Sequence, residues 1–443
     1  MKKNERHWVI ALVASISLTT FSCDGDALDT SALSNESQLT SSSVAGNIIK
    51  GDFFGEGDAA FQQEANEVLA ELLGKITTDD EKHRYVKKYP DFYGGAYITD
   101  RGRLVVYIHG DFEEGVQQVK TYVNDRGITD YVSCDYSFQE LTDIMNNMND
   151  RFETLPKEIK QNIVMYYIKD DQNKVIVSLR NNSLGTISDF QKKVICHPAI
   201  VFDNEMQIGY SYSHANNRPS FSATLQPGGG FFVSSSSSNF NGSWAFRARK
   251  TNQTKYVGMV TASHVFHEYD SLYLGGNYLP NTHIDVYNAE ADAAFVRIGN
   301  TPFDSIFISP LLFFYSNVLM EYPNQSLDTI TIKNLSTQTS VPGCGTVINK
   351  RGMTTFHTTG VVQSTNYTDY YDNMLITNRM LASMISDEGD SGGIIYTYVS
   401  GSGIRYTVGV LSHTLTDSQT NICYGTVFSK ADIVLNALNI QRY

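Results

Sequence analysis

Beyond about residue 244 the chain breaks into short apolar runs spaced by Gly, Asn and Ser, and no helical pattern interrupts them until KADIVLNALN near the end. SWAFRAR, YVGMVTA, SLYLGG, AAFVRI, TITIKNL, GTVIN, IIYTYV and YTVGVLS are each a strand's length of β-branched and aromatic side chains. Short strands without intervening helices bury their apolar faces by closing into barrels or stacking as sandwiches. The segments 220–315 and 320–443 are each long enough for one such unit, followed by a single closing helix.

The preceding half has a different texture. DAAFQQEANEVLAELLG (58–74) places Phe61, Ala65, Val68, Leu69 and Leu72 on one helical face, and YSFQELTDIMNNM repeats the pattern with Phe138, Leu141, Ile144, Met145 and Met148. Residues 112–123 also read as helix. YGGAYITDRGRLVVYIHG predicts two strands around an Asp-Arg-Gly turn, and NIVMYYIKDDQNKVIVSLR a hairpin turning at Asp170–Asn173. Residues 46–203 are therefore expected to form an α+β domain. Nothing in it clusters like a catalytic site, and His83 and His109 read as isolated surface or turn residues. The Pro-, Gly- and Ser-rich stretch that begins near residue 204 marks a junction, placed at 204–219.

At 443 residues the chain has room for several domains, and 41% hydrophobic with 18% charged residues is an ordinary globular composition. The net charge of −13, without a basic patch, disfavours a nucleic-acid partner. Lys2, Lys3 and Arg6 ahead of WVIALVASISLTTF have the layout of a secretory signal (1–23), too short for a comfortable membrane span. Cys23 closes it where a bacterial lipoprotein carries its lipid acceptor, although Thr20 stands where such boxes usually have Leu. The polar tether 24–45 that follows fits a lipid-anchored chain, periplasmic or at the cell surface; ordinary cleavage and secretion is the alternative. Cys134, Cys196, Cys344 and Cys423 fit no metal motif. In an exported protein they could form two disulfides in any of three connectivities, Cys134–Cys196 with Cys344–Cys423 being the simplest.

Residues 386–395, SDEGDSGGII, place Ser391 among residues that also make ordinary turns. A serine nucleophile needs a base and an orienting carboxylate. Of His264, His267, His283, His357 and His413, His264 in VTASHVF stands where an apolar strand ends, although a buried histidine satisfied by backbone would read the same way. Asp292 in AEADAAFVRI lies against an apolar strand, where a carboxylate needs hydrogen bonds; a strand-edge cap is the plain explanation, and Asp285 is a rival.

In the order His, Asp, Ser, the blocks VTASHVF, DAAFVRI and GDSGG resemble a serine protease of the chymotrypsin fold. KRGMTTFHTTGVV (350–362) and the closing GVLSHTLTD…YGTVFSKADIVLNAL are similar to the streptogrisin and α-lytic protease branch. YPDFYGGAYITDRGRLVVYIHG and VSCDYSFQELTDIMNNM resemble the pro-domain of the same branch. The resemblance implies an α+β pro-domain followed by a double β-barrel, over residues 220–443, with a C-terminal helix. It implies an exported serine endopeptidase synthesised as a proenzyme, acting on protein or peptide substrates as a monomer without cofactor or metal. By resemblance Ser391 is the nucleophile, His264 the base, Asp292 the orienting acid, and the N–H groups of Gly389 and Ser391 the oxyanion hole. Asp390 would be a buried anion, with Arg351 as its expected cation.

Two departures stand out. Val265 follows His264 where secreted relatives commonly have cysteine, and no cysteine precedes the serine in Ile385–Glu388. The specificity pocket is expected around Ile385, Ser386, Ser412 and His413. Ile385 stands where an enzyme cutting after Lys or Arg would carry Asp, so a small or apolar residue before the cut is favoured, with His413 at the rim. A catalytically silent binding module on the same fold is the main alternative. An esterase lacks its G-x-S-x-G elbow, and a metal site at His264 and His267 lacks a third ligand.

Overall fold

The computed structural model describes residues 56–203, 208–210, 224–234, 239–266, 271–274, 277–278, 283–297, 305–308, 311–315, 318–321, 331–371, 374–398, 403–417 and 423–443. The signal, Cys23, the tether, His267 and most of the 204–219 junction lie outside these residues.

The amino-terminal half is α+β. The helix Glu56–Ile76 buries Ala65, Val68, Leu69 and Leu72, an i, i+3, i+4, i+7 stripe. The helix Phe138–Phe152 is capped by the Ser137 hydroxyl, which accepts from the Glu140 N–H at 3.1 Å, and buries Phe138, Leu141, Ile144, Met145, Met148 and Phe152. These faces share one core with the sheet of Tyr93–Ile98, Leu104–His109 and Thr129–Cys134. A second group of strands, Ile163–Lys169, Lys174–Leu179 and Ile200–Asp203, begins with the expected hairpin. Its turn closes through Asn173 at φ +53°, a left-handed conformation that asparagine tolerates. The Asn173 amide also donates to the Gly94 and Tyr136 carbonyls at 2.8 and 2.9 Å, stitching both groups of strands together.

In the carboxy-terminal half, six strands close into an antiparallel barrel. Val347–Arg351 pairs with His357–Tyr371, then Met374–Ala382, Cys423–Lys430, Ile404–Asp417 and Ile394–Tyr398, which returns to Val347–Arg351. Ahead of it, a five-stranded sheet runs His283–Tyr287, Ala293–Arg297, Val257–Thr261, Phe246–Lys250 and Ile440–Arg442. Its last strand is the chain's carboxy-terminal end, delivered across by the helix Ala431–Ala437. A four-stranded sheet that includes Gly230–Ser234 and Asn239–Ser243 packs alongside, through Phe231, Val233, Trp244, Met259 and Val265.

The two halves share a sheet. Tyr367, Thr368 and Asp369 of the barrel pair antiparallel with Tyr167, Tyr166 and Met165 of the amino-terminal half. Ile208–Tyr210, just past that half, pairs with Leu415–Asp417. From the first helix, the Gln62 side chain donates to the Gly345 carbonyl at 3.0 Å and accepts from the Val347 N–H at 2.8 Å, while Asn66 accepts from Gly343 N–H and the Thr346 hydroxyl, both at 3.1 Å.

The expected cysteine pairing is corrected. Cys134, Cys344 and Cys423 carry free thiols, so neither simple pairing forms. Cys344 is buried at the junction of the halves, bridged to Tyr97, whereas the Cys423 thiol lies within the barrel against the Met384 carbonyl at 3.8 Å.

Candidate active site

The strand Val257–Thr261 is wholly buried, and a short 3-10 turn, Ser263–Val265, follows it. That turn lifts His264 into a partly exposed position while its neighbours Ser263 and Val265 stay buried. Thr261 is in register with Ala294, so the histidine turn meets the residues just before the strand Ala293–Arg297, where Asp292 stands. Pairing of these two strands thus brings together residues 28 positions apart.

Asp292 is 2% exposed and receives five donors. Its Oδ1 accepts from the Ser263 N–H at 2.8 Å, the Ser263 hydroxyl at 2.5 Å and the His264 N–H at 3.1 Å. Its Oδ2 lies 2.6 Å from His264 Nδ1 and accepts from the Ser412 hydroxyl at 2.6 Å. Burial alone would raise its pKa, but the charge and hydrogen bond of His264, with the Ser263 and Ser412 hydroxyls, hold the carboxyl well below the ordinary range. An ionised carboxylate only accepts, so the facing Nδ1 carries the imidazole proton and Nε2 is left as the basic nitrogen. Asp285, the rival acid, is instead paired with Lys250 at 2.8 Å.

Ser391 sits in a turn between Gly389 (φ +86°) and Gly392 (φ +83°), both in the left-handed region. A side chain at 392 is also excluded by space, since its Cβ would fall 1.9 Å from the Thr261 hydroxyl and 2.4 Å from the Ser243 carbonyl. Both halves of the protease-like unit hold the turn. The Ser243 N–H donates to the Ser391 carbonyl at 2.8 Å and the Ser243 hydroxyl to the Gly389 carbonyl at 2.7 Å, while Gly392 N–H donates to Leu411 at 2.8 Å. The Ser391 hydroxyl donates to the Ser412 carbonyl at 3.2 Å. Ser412 thus touches the serine through its backbone and the acid through its side chain.

Asp390 is fully buried, but its cation is Lys350, at 2.6 Å, and not Arg351. Thr354 N–H at 2.8 Å, Thr355 N–H at 3.1 Å, the Thr355 hydroxyl at 2.6 Å and Asp387 N–H at 3.1 Å complete its shell. Arg351 instead donates to the neighbouring Gly352 carbonyl and lies over the Phe356 ring. Adjacent strand residues face opposite ways, and the one-residue difference decides which reaches the anion.

Of the four expected pocket residues, Ile385 is half-buried and its carbonyl accepts from Thr358 at 2.7 Å. Ser386 is buried in a hydroxyl cluster, 2.6 Å from both Thr414 and Thr426. Ser412 supports Asp292. His413 is 6% exposed and turned inward, with Nε2 2.8 Å from Asp369 Oδ2, so it is not at a rim. His357 is also internal, stacked on Tyr396 and pushed down to about 3 by burial and the nearby Lys350 and arginine charges. His83 is not isolated either, lying between Asp80 and Asp150 at 3.4 and 3.2 Å. Sequence reasoning missed Ser263 as a donor and the Asp369–Arg379 pair; a hydroxyl directly before the histidine is the signal that could have suggested the first.

Two family models match the amino-terminal half: a Pro-like N-terminal domain over residues 54–129 and a Pro-like C-terminal domain over residues 139–205. A sequence comparison with curated proteins finds no match. Among solved structures, protease A of Thermobifida fusca is 17% identical, with 49% of this chain and 97% of that one covered and a TM-score of 0.37. The Nocardiopsis protease is 21% identical, with coverages of 50% and 100% and a TM-score of 0.36. An α-lytic protease homologue, N4, is 15% identical, with coverages of 49% and 98% and a TM-score of 0.36. With a Pro-like half preceding a five-stranded sheet whose turns carry His264 and Asp292 and a closed six-stranded barrel whose turn carries Ser391, the chain resembles the streptogrisin and α-lytic protease branch of the chymotrypsin-fold serine proteases.

Proposed function

We propose that the chain is an exported serine endopeptidase, synthesised as a proenzyme, that hydrolyses peptide bonds through Ser391, His264 and Asp292. The observation that carries this reading is the continuous set of contacts from His264 Nδ1 to Asp292, from Asp292 to the Ser412 hydroxyl, and from the Ser412 carbonyl to the Ser391 hydroxyl. Ser391 attacks the scissile carbonyl as its hydrogen turns from the Ser412 carbonyl to His264 Nε2. The imidazolium then protonates the leaving amine, and water repeats the cycle on the acyl-enzyme. Asp292 remains ionised, fixing the tautomer and stabilising the imidazolium. The Gly389 and Ser391 N–H groups receive the developing oxyanion, an interaction typically contributing about 3 kcal/mol to barrier lowering.

The proenzyme reading rests on the pairing of the Pro-like half with Tyr367–Asp369 and of Ile208–Tyr210 with Leu415–Asp417, beside Ser412. A segment lying along that strand edge would compete with an extended substrate, so removal of the Pro-like half between about 203 and 225 would free the site. The preference for a small or apolar residue before the cut rests on Ile385, which stands where an enzyme cutting after Lys or Arg would carry Asp. Export follows from the signal-like first 23 residues, with lipidation at Cys23 as the anchor.

Labelling with a fluorophosphonate serine probe tests the reading. Wild-type protein is expected to react, whereas Ser391→Ala abolishes labelling and His264→Ala reduces it by about a thousandfold or more. An absence of Ser391-dependent labelling, before and after removal of the Pro-like half, would favour the silent binding module.

A further inference from the structure

We propose that the buried trio Asp369, Arg379 and His413 positions the acid end of the His264–Asp292 pair, with Arg379 as the positioning residue and the Ser412 hydroxyl as its intermediary. The inference deepens the peptidase reading and rests on it for the reaction concerned.

Arg379 and Asp369 are both 0% exposed, and Ser412 is 1% exposed. Arg379 Nη1 donates to Ser412 Oγ at 2.9 Å, and Ser412 Oγ lies 2.6 Å from Asp292 Oδ2. A guanidinium only donates and an ionised carboxylate only accepts. With its oxygen taken by Arg379, the single Ser412 hydrogen is directed onto Asp292. The other acceptor within reach of that hydroxyl, His413 Nδ1 at 3.1 Å, also faces Arg379 Nη1, at 3.4 Å, so Arg379 occupies it as well and its removal frees that acceptor to compete. Arg379 therefore fixes the polarity of the bond that supports the acid.

The other two residues hold Arg379. Its Nη2 pairs with Asp369 Oδ1, and Asp369 Oδ2 lies 2.8 Å from His413 Nε2. Burial, followed by the Arg379 charge, pushes His413 well below its ordinary range, so it stays neutral here and leaves Asp369 as the counter-charge. The void beside the acid, lined by Ser263, His264, Asp292, Ile376, Ser412 and His413 among others, measures only about 10 Å³, too little for a network of waters to replace the protein donors. A buried ion pair is a poor device for stability alone, because apolar residues of similar volume fill such a space at no greater cost. Here the pair ends, through one hydroxyl, on the carboxylate that orients the base.

The test uses the full chain and two readouts, the pH 7 rate of fluorophosphonate labelling at Ser391 and the NMR resonance of the His264 Nδ1 proton. Asp369→Leu/Arg379→Met, which removes both charges together, is expected to slow labelling on the order of thirtyfold and to shift or broaden the Nδ1 resonance. Arg379→Lys, which keeps a donor-only cation, should stay within about fivefold of wild type. Ser412→Ala should match the double variant, and adding it to that variant should cost less than about threefold more, because both act on one bond. If the double variant does not fold, Arg379→Gln takes its place in the same comparison. An unchanged labelling rate and Nδ1 resonance, or losses that multiply when Ser412→Ala is added, would overturn the inference. If wild-type protein does not label at Ser391, the peptidase reading falls, and the Nδ1 resonance decides the positioning role by itself.

Discussion

Lys350 and Arg351 are adjacent cations, both buried, yet only Lys350 reaches Asp390. Burial lowers the lysine's pKa, and Asp390 offsets part of that loss by charge and hydrogen bond. Lys350→Met would leave a buried carboxylate without its cation, a loss of about 3–5 kcal/mol. Because Asp390 immediately precedes the nucleophile, this variant should lose about a hundredfold more Ser391 labelling than Arg351→Ala. Equal labelling of the two variants would return the role to Arg351. The same contrast explains what could be read from the sequence. His264 and Ser391 are legible because each sits in a contiguous turn whose small or apolar neighbours are themselves informative. Ser412 and Lys350 are not, since their roles depend on which strand face meets a loop many residues away. Asp292 lies between these cases: an acid before an apolar strand suggests a need for donors, but the residues alone left Asp285 as a rival, and only the family resemblance chose between them ahead of the Thr261–Ala294 register.

At the level of elements, the long hairpin of His357–Tyr371 and Met374–Ala382 has two roles. It forms part of the closed barrel and also offers Tyr367–Asp369 to the Pro-like half. None of the strand-like runs read from the sequence covers it beyond the block at 350–362, and its cross-half register was not legible either, because alternation along one strand does not say which distant edge it meets. The first helix carries a subtler signal. Gln62 and Asn66 are polar residues at i, i+4 spacing beside an apolar stripe, and they satisfy the Gly343 and Val347 N–H groups. Gln62→Leu/Asn66→Leu keeps the helical pattern but removes those acceptors, at about 1–3 kcal/mol for each N–H left buried and unsatisfied. Hydrogen exchange in the full chain should show the Gly343 and Val347 amides losing protection, while those of the Ala293–Arg297 strand retain theirs. Unchanged protection at 343 and 347 would mean that the helix is not what holds this turn.

Across the whole molecule, the junction between the halves contains a titratable latch. Asp170, in the turn of the Pro-like hairpin, is 4% exposed and accepts from the Thr365 N–H at 3.3 Å and hydroxyl at 3.0 Å, across the junction. Burial raises its pKa from 3.8 to about 7; the Thr365 hydrogen bonds only partly oppose this, and Asp171 adds to it. Asp171, Cys344, Tyr89 and Tyr93 are the other ionisable groups coupled to it, while Lys430 is the buried cation nearest in effect, itself pushed down to about 8 by burial. Undocking would return the carboxyl to water and to its ordinary range. A raised docked-state pKa means that the docked form binds the proton more tightly, so docking is strongest below about 4 and weakens as pH rises towards 7. One proton is involved, which limits the change to about tenfold per pH unit within that window and makes it level off above it. After cleavage between the halves, retention of the Pro-like half on the protease-like half should therefore fall from pH 5 to pH 7 and change little from pH 7 to 8. Asp170→Asn keeps the size and hydrogen-bonding capacity of the side chain and removes its charge, so its retention should be nearly flat over the same range. A pH dependence that survives Asp170→Asn would assign the latch to another group at the junction, with Lys430 the first to examine.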